Sequence, residues 1–267
     1  MSFQTIDKNS VLYLTSDILT GVRHGFSTRR GGVSPAPWDS LNLDDRRGDS
    51  HANVQENFRR LCHALDVDVQ RVVLSKQVHR DDVRLVTEHD IGKGLWRAQD
   101  YDSADALITD VPELPLFVFS ADCGVILLHD PVHHAIGAVH AGWRGTVLGI
   151  VKKTVEAMRD AFGTDPGDLQ AAIGPSIGQC CFETDDDVPA ALRQALGHRA
   201  EPFMIWNGRK WHIDLKSVNR YWLQDVGVTQ IDLCADCTYC LPELYWSHRR
   251  TGLARGEQAA VIALPSR

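Results

Sequence analysis

The chain has 267 residues, 43% of them hydrophobic and 24% charged, with a formal net charge of −7. This is globular composition, long enough to bury a substantial core, and its acidity argues against a nucleic acid or an anionic membrane as the main partner. No apolar run approaches the roughly 20 residues of a membrane span, the first residues lack a signal-peptide pattern, and seven irregularly spaced cysteines suit reduced thiols in a cytoplasmic protein.

No internal repeat or low-complexity linker divides residues 1–267, so a single domain is expected. Residues 24–43 read as a Gly/Ser/Pro-rich loop holding Arg29-Arg30-Gly31-Gly32. Val54, Phe58, Leu61, Cys62 and Leu65 then recur at helical spacing over 51–65, with Ser50 as N-cap. Val72 to His79 reads as a short strand, followed by a polar loop with Gly92 and Gly94. Leu116 to Cys123 and Ala135 to His140 read as two more strands. Asp130-Pro131 between them signals a turn, so the two are expected to pair as a hairpin. After Ala141-Gly142-Trp143-Arg144-Gly145-Thr146 comes a helix with Val147, Val151, Val155, Met158 and Phe162 on one face and Gly163 as its stop. Leu169 to Ile173, 228–233 and 259–264 read as strands, and 186–196 and 214–224 as helices. Strands and helices intermixed, with a hairpin among them, predict an α/β chain built on a mixed sheet.

Three of these strands stop on a soft or borderline metal ligand: His79, Cys123 and His140. Singly, such a Cys reads as a small buried apolar residue and such a His as a hydrogen-bonded group. Together they form the ligand set of a catalytic zinc that keeps one position open. The small residues around Gly142 let the backbone approach a ligand, the following helix offers N–H groups to an anion, and Arg144 adds a guanidinium suited to phosphate. The segment is neither a P-loop nor a dinucleotide fingerprint. Cys234-x-x-Cys237-x-x-Cys240 lacks a fourth cysteine unless Cys180-Cys181 folds back, and it is read as reduced structural thiols. His133-His134 reads as a solvated turn.

Taken with their flanks, these residues resemble the laccase-like polyphenol oxidoreductase family, now regarded as zinc-dependent purine nucleoside phosphorylases and including peptidoglycan-editing-factor-like proteins. The resemblance rests on His24-Gly25-Phe26-Ser27-Thr28-Arg29, Gly31-Gly32-Val33-Ser34, Ser40-Leu41-Asn42-Leu43, Gln77-Val78-His79, Ala104-Asp105-Ala106 and Ala121-Asp122-Cys123. It continues through His140-Ala141-Gly142-Trp143-Arg144-Gly145, Gly174-Pro175-Ser176-Ile177-Gly178 and Ser247-His248-Arg249-Arg250. The resemblance implies one catalytic domain, an α/β sandwich of mixed β-sheets flanked by helices and akin to certain toxin-type deamidases. It implies metal ligation by His79, Cys123 and His140, and phosphorolysis of adenosine, inosine, guanosine and methylthioadenosine with some adenosine deamination. Phe58 departs from the pattern, standing where many members carry Arg.

On this reading Arg144 and the helix start hold phosphate, and Arg29, Asn42 and Arg249 contact phosphate or sugar. Asp122 is a candidate second acceptor or proton shuttle beside Cys123. The cofactor expected is zinc, with copper as the alternative metal. A copper-dependent polyphenol oxidase is the first rival reading, but none of the twelve histidines stands in a His-x-His pair. The second is a metal-free cysteine hydrolase with Cys123 as nucleophile and His140 or His79 as base. A cell-wall editing role, which some relatives suggest, finds no separate peptide-binding feature.

Overall fold

The structure, a computed structural model, describes residues 3–266. The chain opens with β1 (Phe3–Lys8), β2 (Val11–Ser16) and β3 (Arg23–Ser27), and β3 takes up the first residues of the stretch read as loop. Next come α1 (His51–Ala64), β4 (Val73–Leu74), β5 (Val83–Leu85), β6 (Ala106–Thr109), β7 (Leu116–Ser120), β8 (Gly124–Asp130) and β9 (Ala135–Ala141). Two helices, α2 (Trp143–Val147) and α3 (Ile150–Phe162), lead to β10 (Gln170–Ile173), β11 (Glu183–Thr184), α4 (Asp187–Leu196), β12 (Met204–Trp206) and β13 (Trp211–Ile213). The chain closes with α5 (Leu215–Asp225), β14 (Gln230–Leu233), α6 (His248–Thr251) and β15 (Gln258–Ala263). Ser50 caps α1 as its sequence position predicts, its hydroxyl accepting the Asn53 N–H.

The strands form two six-stranded sheets, ordered β1-β2-β3-β15-β7-β4 and β14-β10-β8-β9-β6-β5, and a small one ordered β11-β13-β12. Both large sheets are mixed, because β4 runs parallel to β7 in the first while β5 and β14 run parallel to their neighbours in the second. Alternation along each strand sets the layers. Leu116 and Val118 of β7 join Leu107, Val125, Leu127 and Ala138 in a core between the two sheets. Phe117 and Phe119 point the other way, onto Phe58 and Leu61 of α1. On the far side Ile126, Leu128 and Val139 pack on Val151, Val155 and Met158 of α3. Helix, sheet, sheet and helix thus stack into the expected α/β sandwich of mixed sheets. Strands covered on both faces carry unbroken apolar runs, which is why β7 and β9 stand out in the sequence. Burial of Phe117 alone stabilises by roughly 1.5–3 kcal/mol, and its ring lies 5.6 Å from that of Phe58.

Three expectations need correction. The hairpin around Asp130-Pro131 joins β8 to β9, with Val125 opposite His140, whereas β7 belongs to the other sheet. The run read as one strand to Cys123 therefore stops at Ser120, and the turn after it carries the chain from the first sheet into the second. His79 is not a strand residue either: β4 ends at Leu74, and His79 sits in a loop at φ 62. Finally, the helix expected to carry both Val147 and Val151 is two helices, interrupted at Gly149, which takes φ 72 in the left-handed region that glycine adopts without strain. Gly163 stops α3 as expected, at φ 78. No helix among the described residues is long and apolar enough to cross a membrane.

Candidate metal centre and active site

The three predicted ligands converge although only one lies in a strand. His140 is the penultimate residue of β9. Cys123 occupies the turn between β7 and β8, where the Ser120 hydroxyl donates to its carbonyl at 2.6 Å. His79 hangs from the loop after β4, its Nε2 4.0 Å from the Cys123 Sγ and its ring 4.9 Å from that of His140, edge to face. The three donor atoms lie within 4.8 Å of one another. Ligands of a tetrahedral zinc stand about 3.5 Å apart, given bonds of roughly 2.0–2.3 Å, so small side-chain adjustments would close the set on one ion. Gly142 leaves room for this. A Cβ there would stand 3.0 Å from the His79 ring, 3.3 Å from the Cys123 Sγ and 3.5 Å from the His140 ring.

A buried carboxylate that sequence reasoning left without a role organises the centre. Asp105, fully buried, accepts the N–H groups of Val78, His79 and Arg80 at 3.0, 3.0 and 3.1 Å, and its Oδ1 lies 2.8 Å from the His140 Nδ1. It thereby shapes the His79 loop and turns the His140 Nε2 toward the centre, the arrangement that fixes the tautomer of a ligating imidazole. Burial raises the Asp105 carboxyl, but its bonds from His140 and from the backbone bring it below the ordinary carboxylate range. Burial likewise raises the Cys123 thiol; the charge of His140, with hydrogen bonds from both imidazoles, overrides this and brings it down to about 6. His140, which burial alone would lower, is pushed up to about 9 by the Cys123 thiolate and Asp105. Two imidazoles and a ready thiolate, oriented by a carboxylate, fit a zinc ion. The Asp122 carboxylate is engaged elsewhere, accepting from the Thr238 and Ser247 hydroxyls at 2.6 and 3.1 Å and from the Arg249 N–H at 2.6 Å.

The centre opens into a cavity of about 820 Å³. Phe58, Phe119, Trp143 and Phe182 give it an apolar side, while Arg47, Lys76 and Arg249 bring cationic groups to its wall. Of the predicted anion and sugar contacts, Arg249 lines this cavity, and its guanidinium donates to the Glu183 carbonyl at 2.8 Å. Arg144 is exposed and stacks 4.3 Å over the ring of Trp143; the indole, not the guanidinium, faces the cavity. Arg29 lies 3.9 Å over Trp246 and donates to the carbonyls of Asp39 and Pro242. Asn42 is fully buried, with its amide divided among Asp44, Asp49 and the Glu257 N–H. Neither lines the cavity. Phe58, at the position where the resemblance led one to expect Arg, makes that wall apolar.

Comparison with known proteins adds a family. The model of the family described as "Multi-copper polyphenol oxidoreductase laccase" matches residues 23–265. A Bacillus subtilis protein named purine nucleoside phosphorylase YlmD is 35% identical over 247 residues, 90% of this chain and 87% of that protein. A Deinococcus radiodurans purine nucleoside phosphorylase is 38% identical over 247 residues, 92% of this chain and 90% of that protein. The crystal structure of YlmD from Geobacillus stearothermophilus superimposes with a TM-score of 0.91 at 34% identity, covering 99% of each chain.

Proposed function

Because the chain belongs to the laccase-like polyphenol oxidoreductase family, whose relatives named above are purine nucleoside phosphorylases, we propose that it is a zinc-dependent purine nucleoside phosphorylase acting as one catalytic unit on adenosine, inosine, guanosine and methylthioadenosine. The observation that carries the reading is the His79–Cys123–His140 set on the wall of a cavity of about 820 Å³, within the roughly 300–1,000 Å³ usual for small-molecule sites. In phosphorolysis a phosphate oxygen bonds C1′ as the C1′–N9 bond breaks, and the purine departs with the electron pair and takes a proton. Positioning and charge dominate such a step. The aromatic side of the cavity would cover the base and exclude water, and Arg249 would hold phosphate; Arg144 would join it by leaving the Trp143 ring. His79, Cys123 and His140 would hold zinc, which when bound supplies a Lewis acid and an acidified water suited to the side reaction, adenosine deamination.

The test is one purified batch assayed for metal and for free base released from inosine and adenosine, with and without phosphate. About one zinc at this centre and base release only with phosphate are expected; metal without base release would overturn the substrate assignment. Arg249→Ala should raise the KM for phosphate at least tenfold and leave folding intact, and an unchanged KM would remove it from the site. A second reading, cysteine hydrolysis, is favoured by the Asp105–His140–Cys123 line, which has the form of a nucleophile, a base and its orienting carboxylate. It requires turnover in metal-stripped protein and its abolition by thiol alkylation. Copper oxidation of phenols lacks a comparable support: a blue-copper site usually adds a weak axial Met, and Met158 is buried between α3 and the second sheet.

A further inference from the structure

Four of the seven cysteines meet at a second place. Strands β10 and β14 are parallel neighbours, so their C-terminal ends emerge side by side, and a bridge between Ser176 and Cys237 extends the pair. The chain beyond β10 brings Cys180 and Cys181; the chain beyond β14 brings Cys237 and Cys240. Their sulfurs lie within 4.8 Å of one another, with Cys240 Sγ 3.8 Å from that of Cys180 and 3.4 Å from that of Cys181. Sulfurs around a tetrahedral zinc stand about 3.8 Å apart, whereas a disulfide holds them at about 2.05 Å. Cys234, counted with the group in the sequence, is instead buried in the core between the sheets. The Cys180-Cys181 pair folds back onto Cys237 and Cys240, which the sequence alone reads as reduced structural thiols.

The surroundings leave room for four sulfurs around one ion. The Gly178 N–H donates to the Cys237 Sγ at 3.2 Å, and a Cβ at Gly178 would stand 3.2 Å from the Cys180 Sγ and 3.5 Å from that of Cys237. Arg249 donates to the carbonyls of Cys181 and Glu183, and Arg250 to that of Tyr239, so two guanidinium groups brace both ligand loops.

We propose that Cys180, Cys181, Cys237 and Cys240 form a four-thiolate site for one structural zinc ion, separate from the His79–Cys123–His140 centre. The site clamps the loop after β10 to the loop after β14. Phe182 to Asp185, immediately downstream of Cys181, line the cavity, so the clamp fixes one wall of the active site without touching the reacting atoms. A closed tetrahedron of cysteines with no open position is the form of a structural zinc site.

The experiment is metal analysis of protein purified under reducing conditions, as wild type, Cys237→Ser/Cys240→Ser and His79→Ala/Cys123→Ala. Zinc should fall from about two per chain to about one in each double variant. On cobalt substitution, the charge-transfer bands of a four-thiolate site should vanish in Cys237→Ser/Cys240→Ser and persist in His79→Ala/Cys123→Ala. Failure of the His79–Cys123–His140 reading would leave those bands in place, so the two outcomes are separable. The exposed Cys240→Ser single variant serves if the double variant does not fold. Unchanged zinc in the Cys237 and Cys240 variants, iron in place of zinc, or a disulfide within the group in fresh reduced protein would each overturn the assignment.

Discussion

At the scale of single residues, the centre depends on a carboxylate that touches no substrate. Asp105→Asn keeps the size of the side chain but removes the charge that opposes His140 and weakens its hold on the His79 loop. It should lower zinc affinity 10- to 100-fold with the fold intact, read by chelator competition and circular dichroism; unchanged affinity would make Asp105 purely structural. The Cys123 thiol, held at about 6 against its ordinary 9.0, sets a pH dependence in metal-stripped protein. Its folded pKa lies below the unfolded one, so its contribution to stability is present above the unfolded value and lost as pH falls through about 6. His140, raised to about 9, runs oppositely: its contribution is present below about 6.5 and lost as pH rises through its folded value. Alkylation of Cys123 should therefore rise through pH about 6, and a midpoint near 9 would contradict the proposed electrostatics. The convergence of the trio was legible in the sequence because His and Cys are scarce and each follows an apolar run. The role of Asp105 was not, since its partners stand 25 to 35 positions away and nothing local marks which carboxylate they meet.

At the scale of elements, runs of apolar residues revealed the doubly covered strands and the amphipathic helices, but not the breaks between them. The turn from β7 to β8 is brief, flanked by apolar residues on both sides, and its Asp122 takes φ 100 while secured by Thr238, Ser247 and Arg249, contacts contributed from more than a hundred positions away. Ser120, Asp122 and Gly124 mark it only as single turn-forming residues among apolar neighbours, so the strand reads on to Cys123 and β8 goes unrecognised. The α2–α3 break was equally hidden, because Gly149 inside a helical pattern does not by itself declare its φ. Gly149→Ala would meet open packing, its nearest neighbour being Trp222 at 3.7 Å, yet must keep the left-handed conformation. It should cost about 1–2 kcal/mol in urea unfolding while zinc content stays unchanged. Stability equal to wild type would mean that the helix pair re-forms around the new side chain.

At the scale of the whole molecule, the α/β class could be read from intermixed patterns, and the two-sheet arrangement came through the resemblance. The topology could not be read locally, because β15 inserts between β3 and β7 and pairs with residues near the start of the chain. The weakly patterned β1, half exposed along its length, left little signal of its own. The core between the sheets should be the most sensitive region to truncation. Leu127→Ala, at a position with no exposure, should cost 2–5 kcal/mol by denaturant titration, and a loss under 1 kcal/mol would show that the two layers collapse onto the gap.

The centre also straddles the join between the layers, with His79 suspended from the first sheet, His140 rooted in the second, and Cys123 at the place where the backbone crosses. An ion held by all three is a rivet through the sandwich. Above its dissociation constant, each tenfold rise in free metal should add about 1.4 kcal/mol to the resistance of the layers to parting. Metal-loaded protein should then resist proteolysis longer than metal-stripped protein, and equal lifetimes would show that the ion does not bridge the layers.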